Sequence, residues 1–478
     1  MLATLPLTLS YAPPVGPQIR DAVQPILAAM AHKYNMSFQF GFVDASTPAF
    51  GAAAGRMNAF NMAHSLQPST LIPLGSVTKP WTAARIMQAV EAGRLGLDDA
   101  AHEWVDPVLR RMWNSSLEAL WGKNSTIVTI RDLLGMTSGF ADYDDAHLEA
   151  LTLRYAGDDV GPFVYLTSAA RQGWLHQGYV CAPRTCAAYS GANFVLLGLV
   201  LVNLDASVEW QDMNQRDVIP KALRHRYQHT SFLRLGRCAQ YEHVAPQYAQ
   251  APLPGPLDRR HAVFLDMEQV SCLNGWTMGN IATSAMDLAT FFYDLATMTG
   301  GGGFVNATSL AAMTDWHNLS DTWCWGPRGP GSCQYGLGLF RNQYAQDWWP
   351  VVSGDPEDAR VNVGHPGEDW GSGVSPCGYN ARYGFGVCIA YTALEGMNCT
   401  GDFRRNDYAT FEASCLVYDA VLAIVGGSGA PRLNCSLPAL GPLVEHKTCE
   451  WRRENPGNHS GPPPIGRFRA LRKRFRDE

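Results

Sequence analysis

Gly75-Ser76-Val77-Thr78-Lys79-Pro80-Trp81, GSVTKPW in one-letter form, sets a lysine three residues after a serine. Arg outnumbers Lys by 31 to 6 in the 478 residues, so the lysine asks for a reason. On a helix, positions i and i+3 share a face, and Lys79 can place its amine beside the Ser76 hydroxyl. A serine hydroxyl is a poor nucleophile until a base takes its proton. A lysine amine serves as that base when burial or nearby positive potential keeps it neutral, whereas arginine stays protonated. A helix starting at Ser76 would also stabilise negative charge on a substrate oxygen. With 26 Ser and 6 Lys, chance supplies about 0.3 S-x-x-K in such a chain, so the context has to decide.

Working outward, Trp81 to Glu91 has helical spacing and closes at Gly93. Upstream, Ile19, Val23, Ile26, Leu27, Met30 and Tyr34 predict a helix over 19–34. Two strand-like runs follow, Ser37–Val43 and Ala49–Met57. Downstream, the sequence predicts a helix from Thr129 to Gly139, a buried helix over Tyr189–Val202, and a helix over Thr283–Leu295 with Ser284 as its N-cap. Residues 203–275 read as an irregular insertion. Tyr335–Phe340, Arg360–His365 and Tyr383–Tyr391 read as strands and Asp407–Val425 as a long amphipathic helix. Strands near both ends with helices between them imply an α/β (α+β) sheet assembled from distant segments, with a mostly helical lobe inserted.

Residues 71–105, "LIPLGSVTKPWTAARIMQAVEAGRLGLDDAAHEWV", resemble the nucleophile region of the serine β-lactamase-related family. That family includes class C β-lactamases, D-aminopeptidases, penicillin-binding proteins and β-lactamase-like esterases. "TIVTIRDLLGMTSGF", "GWTMGNIATSAMDLATFFYDL" and "YGLGLF" resemble its later blocks, in its order, over roughly residues 20–425. The resemblance implies a β-lactamase/transpeptidase-like antiparallel sheet flanked by helices, and a catalytic domain over 19–425 with a helical lobe and insertion at about 84–275. Residues 1–18 would be an N-terminal segment and 426–478 a Pro-rich, disulfide-bearing appendage.

The resemblance also implies site residues. Ser76 and Lys79 match the nucleophile and its base, and Tyr189 in "YSGANF" matches a tyrosine that relays a proton. Gly191 stands where the family carries an Asn that contacts the lysine and a substrate carbonyl. "VNVGHPGEDWGSG" matches the third motif with His365, Pro366 and Gly367, Pro366 replacing a Thr. The Glu368 amide would be an oxyanion donor beside that of Ser76, and its acidic side chain favours a neutral or cationic acyl group over a carboxylate. Pro366 removes an N–H, which a strand tolerates only at an edge or bulge.

The expected activity is a serine hydrolase working through an acyl-enzyme on an ester or amide, with a small-molecule or peptide-like substrate. It needs no metal and no cofactor. The altered second and third motifs leave open a catalytically weakened glycoprotein with a binding or surface role. No G-x-S-x-G elbow occurs, and "HRYQH" at 225–229 lacks the Glu of a zinc protease. The Trp-rich Asp321–Cys333 reads as a disulfide-pinned loop or as a cleft rim.

Composition sets the compartment. The formal net charge of −6 argues against nucleic-acid binding. Arg467 to Glu478 holds five Arg and one Lys against two acids, so it carries +4 and the rest −10. That tail reads as a solvated end or as an anchor for an anionic surface. The 12 Cys lack zinc-site spacing; Cys181/Cys186, Cys324/Cys333 and Cys435/Cys449 are close neighbours and suggest disulfides in an oxidising compartment. Sequons occur at Asn35, Asn114, Asn124, Asn306, Asn318, Asn398, Asn434 and Asn458, eight where chance gives about two. A secreted or lumenal glycoprotein is expected, with Met1 to Ser10 a possible signal remnant. No apolar run of spanning length occurs, so no transmembrane segment is expected.

Overall fold

The structure, a computed structural model, describes residues 15–57, 64–143, 158–172, 178–205, 209–251, 263–266, 270–320, 333–342, 351–353, 361–392 and 403–436. The segment 1–14, the Trp-rich stretch 321–332 and the basic tail lie outside them, as do Asn398 and Asn458.

Strand β1 (Ser37–Asp44) decides how the two faces of the sheet are used. Its alternation puts Phe38, Phe40 and Phe42 on one face, in a core shared with Ile19, Val23 and Leu27 of helix α1 (Val15–Tyr34). On the other face Gln39 and Gly41 meet the start of a second helix. A Cβ on Gly41 would sit 2.1 Å from the Ala285 carbonyl oxygen, so only glycine allows this approach. Buried Gln39 is fully used: it donates to the carbonyls of Gln67 and Thr70 and accepts from the Ala285 N–H.

Around β1 the chain builds a mixed architecture of helices and an antiparallel sheet. The strands of the two sheets nearest the site are, besides β1, β2 (Phe50–Ala54), β3 (Ile72–Pro73), β4 (Thr230–Phe232), β5 (Ile281–Thr283), β6 (His317–Asn318), β7 (Gln334–Tyr335) and β8 (Phe340–Asn342). They continue as β9 (Asn362–Gly364), β10 (Gly367–Asp369), β11 (Ser372–Asn380) and β12 (Phe385–Thr392). The main sheet runs β2-β1-β12-β11-β9-β8-β7-β6, with β10 also paired to β11. A small sheet, β3-β5-β4, sits beneath the serine.

The helices that matter to the site are α2 (Thr78–Glu91), α3 (Ala101–Trp113), α4 (Gly191–Leu204), α5 (Ala285–Thr297) and α6 (Phe403–Val425). α1 and α6 cover one face of the sheet, and α5 packs against the other. Trp81 of α2 lies flat on Phe291 of α5, ring centroids 3.8 Å apart, and binds the nucleophile helix to the sheet layer. Burying one such ring is worth roughly 2–3 kcal/mol. Ser284 caps α5 as expected, accepting from the Asp287 N–H at 3.1 Å.

Three sequence expectations are corrected. The helix expected over 129–139 spans only Ile130–Leu134 among its residues, because Met136 takes a left-handed backbone (φ 62°) and ends it. Tyr335–Phe340, read as one strand, is instead the hairpin link between β7 and β8, which pair antiparallel, and β11 escapes the sequence pattern because Pro376 and two glycines mask it. Cys435 bonds Cys415 on α6 rather than its neighbour Cys449, because Arg432–Leu433 pairs with Val351–Ser353 beside that helix. Cys181–Cys186 forms as its spacing suggested. Cys238–Cys272 and Cys377–Cys388 are further bridges. Cys333 is disulfide-bonded too, while Cys324 lies outside the described residues.

Candidate active site

The site begins with a sharp turn. Gly75 has a left-handed backbone (φ 54°), after which Ser76 and Val77 lead straight into α2. Thr78 pins the turn, its hydroxyl donating to the Gly75 carbonyl and accepting from the Ile281 N–H of β5. In the run from Ile72 to Ala84, Ser76 is the one residue that is not buried. Lys79 is 2% exposed, and its Nζ donates to Ser76 Oγ at 2.9 Å and to the Met278 carbonyl at 3.2 Å. The sequence spacing and the observed contact therefore agree.

Tyr189 stands just before α4 with its ring beneath the Lys79 ammonium, 4.8 Å from nitrogen to centroid. The same ring packs against Tyr335, Phe340 and His365, with centroids 6.1 to 6.2 Å apart. His365 is 1% exposed and donates from Nδ1 to the Pro366 carbonyl. A carbonyl only accepts, so Nδ1 carries the proton and Nε2 presents its lone pair. Burial first, and the Lys79 charge second, push the imidazole pKa down to about 3, so the ring is neutral. Neither His365 Nε2 nor the Tyr335 hydroxyl has a hydrogen-bond partner among the described residues.

β10 closes the other side. A Cβ on Gly75 would fall 1.8 Å from the Glu368 carbonyl oxygen, and one on Gly367 would fall 2.0 Å from the Leu74 carbonyl oxygen. Two glycines thus let the serine turn and β10 meet backbone to backbone. Pro366 sits in the break between β9 and β10, where no ladder N–H is required. The Glu368 side chain is exposed and accepts weakly from the Tyr391 hydroxyl at 3.4 Å. Its neighbour Asp369 accepts from Asn274 Nδ2 and the Trp370 N–H. Burial outweighs those bonds and pushes the Asp369 carboxyl up to about 6.

Ser76, Lys79, Tyr189, His365, Gly367 and Glu368 are therefore gathered at one place. Gly191 is there as well, but the space beside it is taken. A Cβ on Gly191 would lie 2.5 Å from Met278 Sδ and 2.7 Å from Tyr143 Cε1. Its N–H instead donates to Asp142 Oδ1 at 2.8 Å, an acid at the start of α4.

Sequence reasoning missed Met278, Asp142, Asn274 and Asp369. Met278 acts through its carbonyl, so no side-chain pattern announces it. Asp142 lies two residues after the "TSGF" block and could have been found as a cap for the helix opening at Gly191. Among the described residues no group of three or more His, Cys, Asp or Glu could hold a metal.

A family model described as Beta-lactamase matches residues 49–399. The chain belongs to that family. Protein flp of Staphylococcus aureus (strain MW2) is 30% identical over 159 residues, 33% of this chain but only 28% of that protein. A D-stereospecific amidohydrolase from Streptomyces sp. matches at 21% identity and TM-score 0.57, covering 82% of this chain and 98% of that one. The D-amino acid amidase of Ochrobactrum anthropi SV3, solved with L-phenylalanine amide, matches at 17% identity and TM-score 0.60 over 86% and 99%. At these identities the solved structures bear on the fold alone. They give this beta-lactamase family member the mixed sheet-and-helix architecture described above.

Proposed function

We propose that this beta-lactamase family member is a secreted serine hydrolase that cleaves an ester or amide through a Ser76 acyl-enzyme. The observation that carries the proposal is the 2.9 Å contact between buried Lys79 Nζ and Ser76 Oγ, the serine being the sole accessible residue of its run. With Lys79 neutral, Ser76 Oγ bonds to the substrate carbonyl carbon as its proton passes to Nζ. The amides of Ser76 and Glu368 hold the oxyanion. Tyr189 carries the proton on to the leaving alcohol or amine, which departs as the acyl-serine forms. Water then attacks the ester, and the free acid leaves with Ser76 restored.

Neutral His365 contributes an uncharged wall beside Lys79. Exposed Glu368 disfavours a carboxylate on the acyl side and suits a neutral or cationic group. The amino-acid amide bound by the Ochrobactrum amidase fits that description.

The secretory route is supported by the disulfides and by the sequons. Asn114, Asn124, Asn306, Asn318 and Asn434 are exposed and Asn35 is half-buried. Among the described residues no helix is long and apolar enough to cross a membrane.

A second reading, a binding glycoprotein with weakened chemistry, rests on Gly191, where Met278 and Tyr143 fill the space. A fluorophosphonate probe decides between them. The hydrolase reading expects labelling of the wild type and its loss in Ser76→Ala and Lys79→Arg. No labelling at any pH from 6 to 10 overturns it.

A further inference from the structure

The nucleophile helix has a second face with a cavity of its own. Trp81, Thr82, Arg85 and Ala89 form one stripe of α2, about a quarter turn round from Lys79 and up to three turns along. They line a space of about 250 Å³ that none of Ser76, Lys79, Tyr189 or His365 reaches. Trp81, Leu204, Met213 and Phe232 supply apolar walls. Arg85 supplies the polar feature.

Arg85 has five N–H donors. Among the described residues its side chain makes one hydrogen bond, to Gln88 Oε1 at 3.3 Å, and no carboxylate lies within ion-pair distance. The guanidinium is half-buried, which removes much of the water that would otherwise satisfy it. Arg94 adds a second positive charge in the wall and donates to the Leu204 carbonyl. Two carboxylates, Asp205 and Asp217, also stand in the wall and attract the guanidinium from beyond ion-pair distance; Asp217 is engaged by Arg224 at 3.1 Å and by Asn214 at 3.0 Å, and Asp205 has contacts of its own. The chamber thus combines apolar walls with an open guanidinium fork, its two arginines balanced in charge by two acids.

We propose that this cavity is a second ligand site, separate from the serine, for a small carboxylate with an apolar body. The carboxylate takes the open N–H fork of Arg85 and the body lies against Trp81 and Phe232. A ligand seated there also touches Thr277, whose carbonyl accepts from Thr82 Oγ1 at 2.6 Å. The next carbonyl, that of Met278, holds Lys79. Occupancy therefore braces the turn on which the lysine rests.

Titration calorimetry on the full chain tests this, with 3-phenylpropanoate as probe and 3-phenylpropan-1-ol as its uncharged counterpart. A ligand of this size is expected to saturate with a Kd on the order of 0.1 to 1 mM. The alcohol should bind at least about tenfold more weakly, as should the acid to Arg85→Gln. Leu204→Trp, which fills the cavity from a half-buried helix end, should abolish binding and covers the case in which Arg85→Gln does not fold. No saturable heat, equal binding of acid and alcohol, or unchanged affinity in a folded Arg85→Gln or Leu204→Trp variant overturns the proposal.

Discussion

His365 is held neutral twice over, by burial and by the lysine charge, and this has a thermodynamic sign. Its folded pKa of about 3 lies below the ordinary 6.5, so between those values the unfolded chain binds a proton that the native state refuses. The stability is fully present above pH 6.5 and is lost as pH falls toward 3. From pH 7.5 to pH 5 the loss should be about 2 kcal/mol. Urea unfolding at both pH values should show it as the difference between the wild type's change and that of His365→Gln. Asp369, whose carboxyl is raised, acts in the opposite direction: its protonated native form makes stability fall as pH rises from about 4 to 6. Both proteins carry Asp369, so the comparison isolates the histidine. The histidine was legible in the sequence only as a motif match. Its neutrality was not, because that depends on Tyr189, Tyr335 and Phe340, brought to it by chain-distant elements.

At the scale of elements, the entry to α4 shows what the sequence could and could not tell. Its apolar run announced a buried helix, and the observed Gly191–Leu204 differs by about two residues at each end from the expected span. That the Gly191 side is packed by Met278 and Tyr143 could not be read from "YSGANF", since both come from elsewhere. Asp142 accepts from the Gly191 and Tyr143 N–H groups, joining the loop after the "TSGF" block to the helix that follows Tyr189. Asp142→Ala should cost about 1 kcal/mol in chemical denaturation, as the loss of a helix-entry acceptor does. Because the same joint sets where Tyr189 stands, fluorophosphonate labelling should slow as well. Unchanged labelling alongside lowered stability would separate Tyr189 placement from helix capping. β11 shows the opposite case: Gly and Pro weaken its local signal, and it is kept as a strand by pairing with β12 and β9.

Over the whole molecule, bridges fall in several layers. Cys377–Cys388 crosses β11 and β12, Cys415–Cys435 fastens α6, and Cys238–Cys272 joins the irregular middle segment. Intact mass should therefore rise by one hydrogen mass for each bonded cysteine on reduction, and N-glycosidase treatment should lower the mass if the proposed glycans are present. A mass showing all 12 cysteines as free thiols would contradict the oxidised structure. The contact of the serine turn with β10 has a different kind of consequence. Its closest approaches are to main-chain atoms, and it depends on the codons for Gly75 and Gly367. Genetic drift therefore has a very small target there, while every side chain on the rim is open to change. Rim side chains can therefore vary, trying one substrate after another, while the same serine keeps the same cradle.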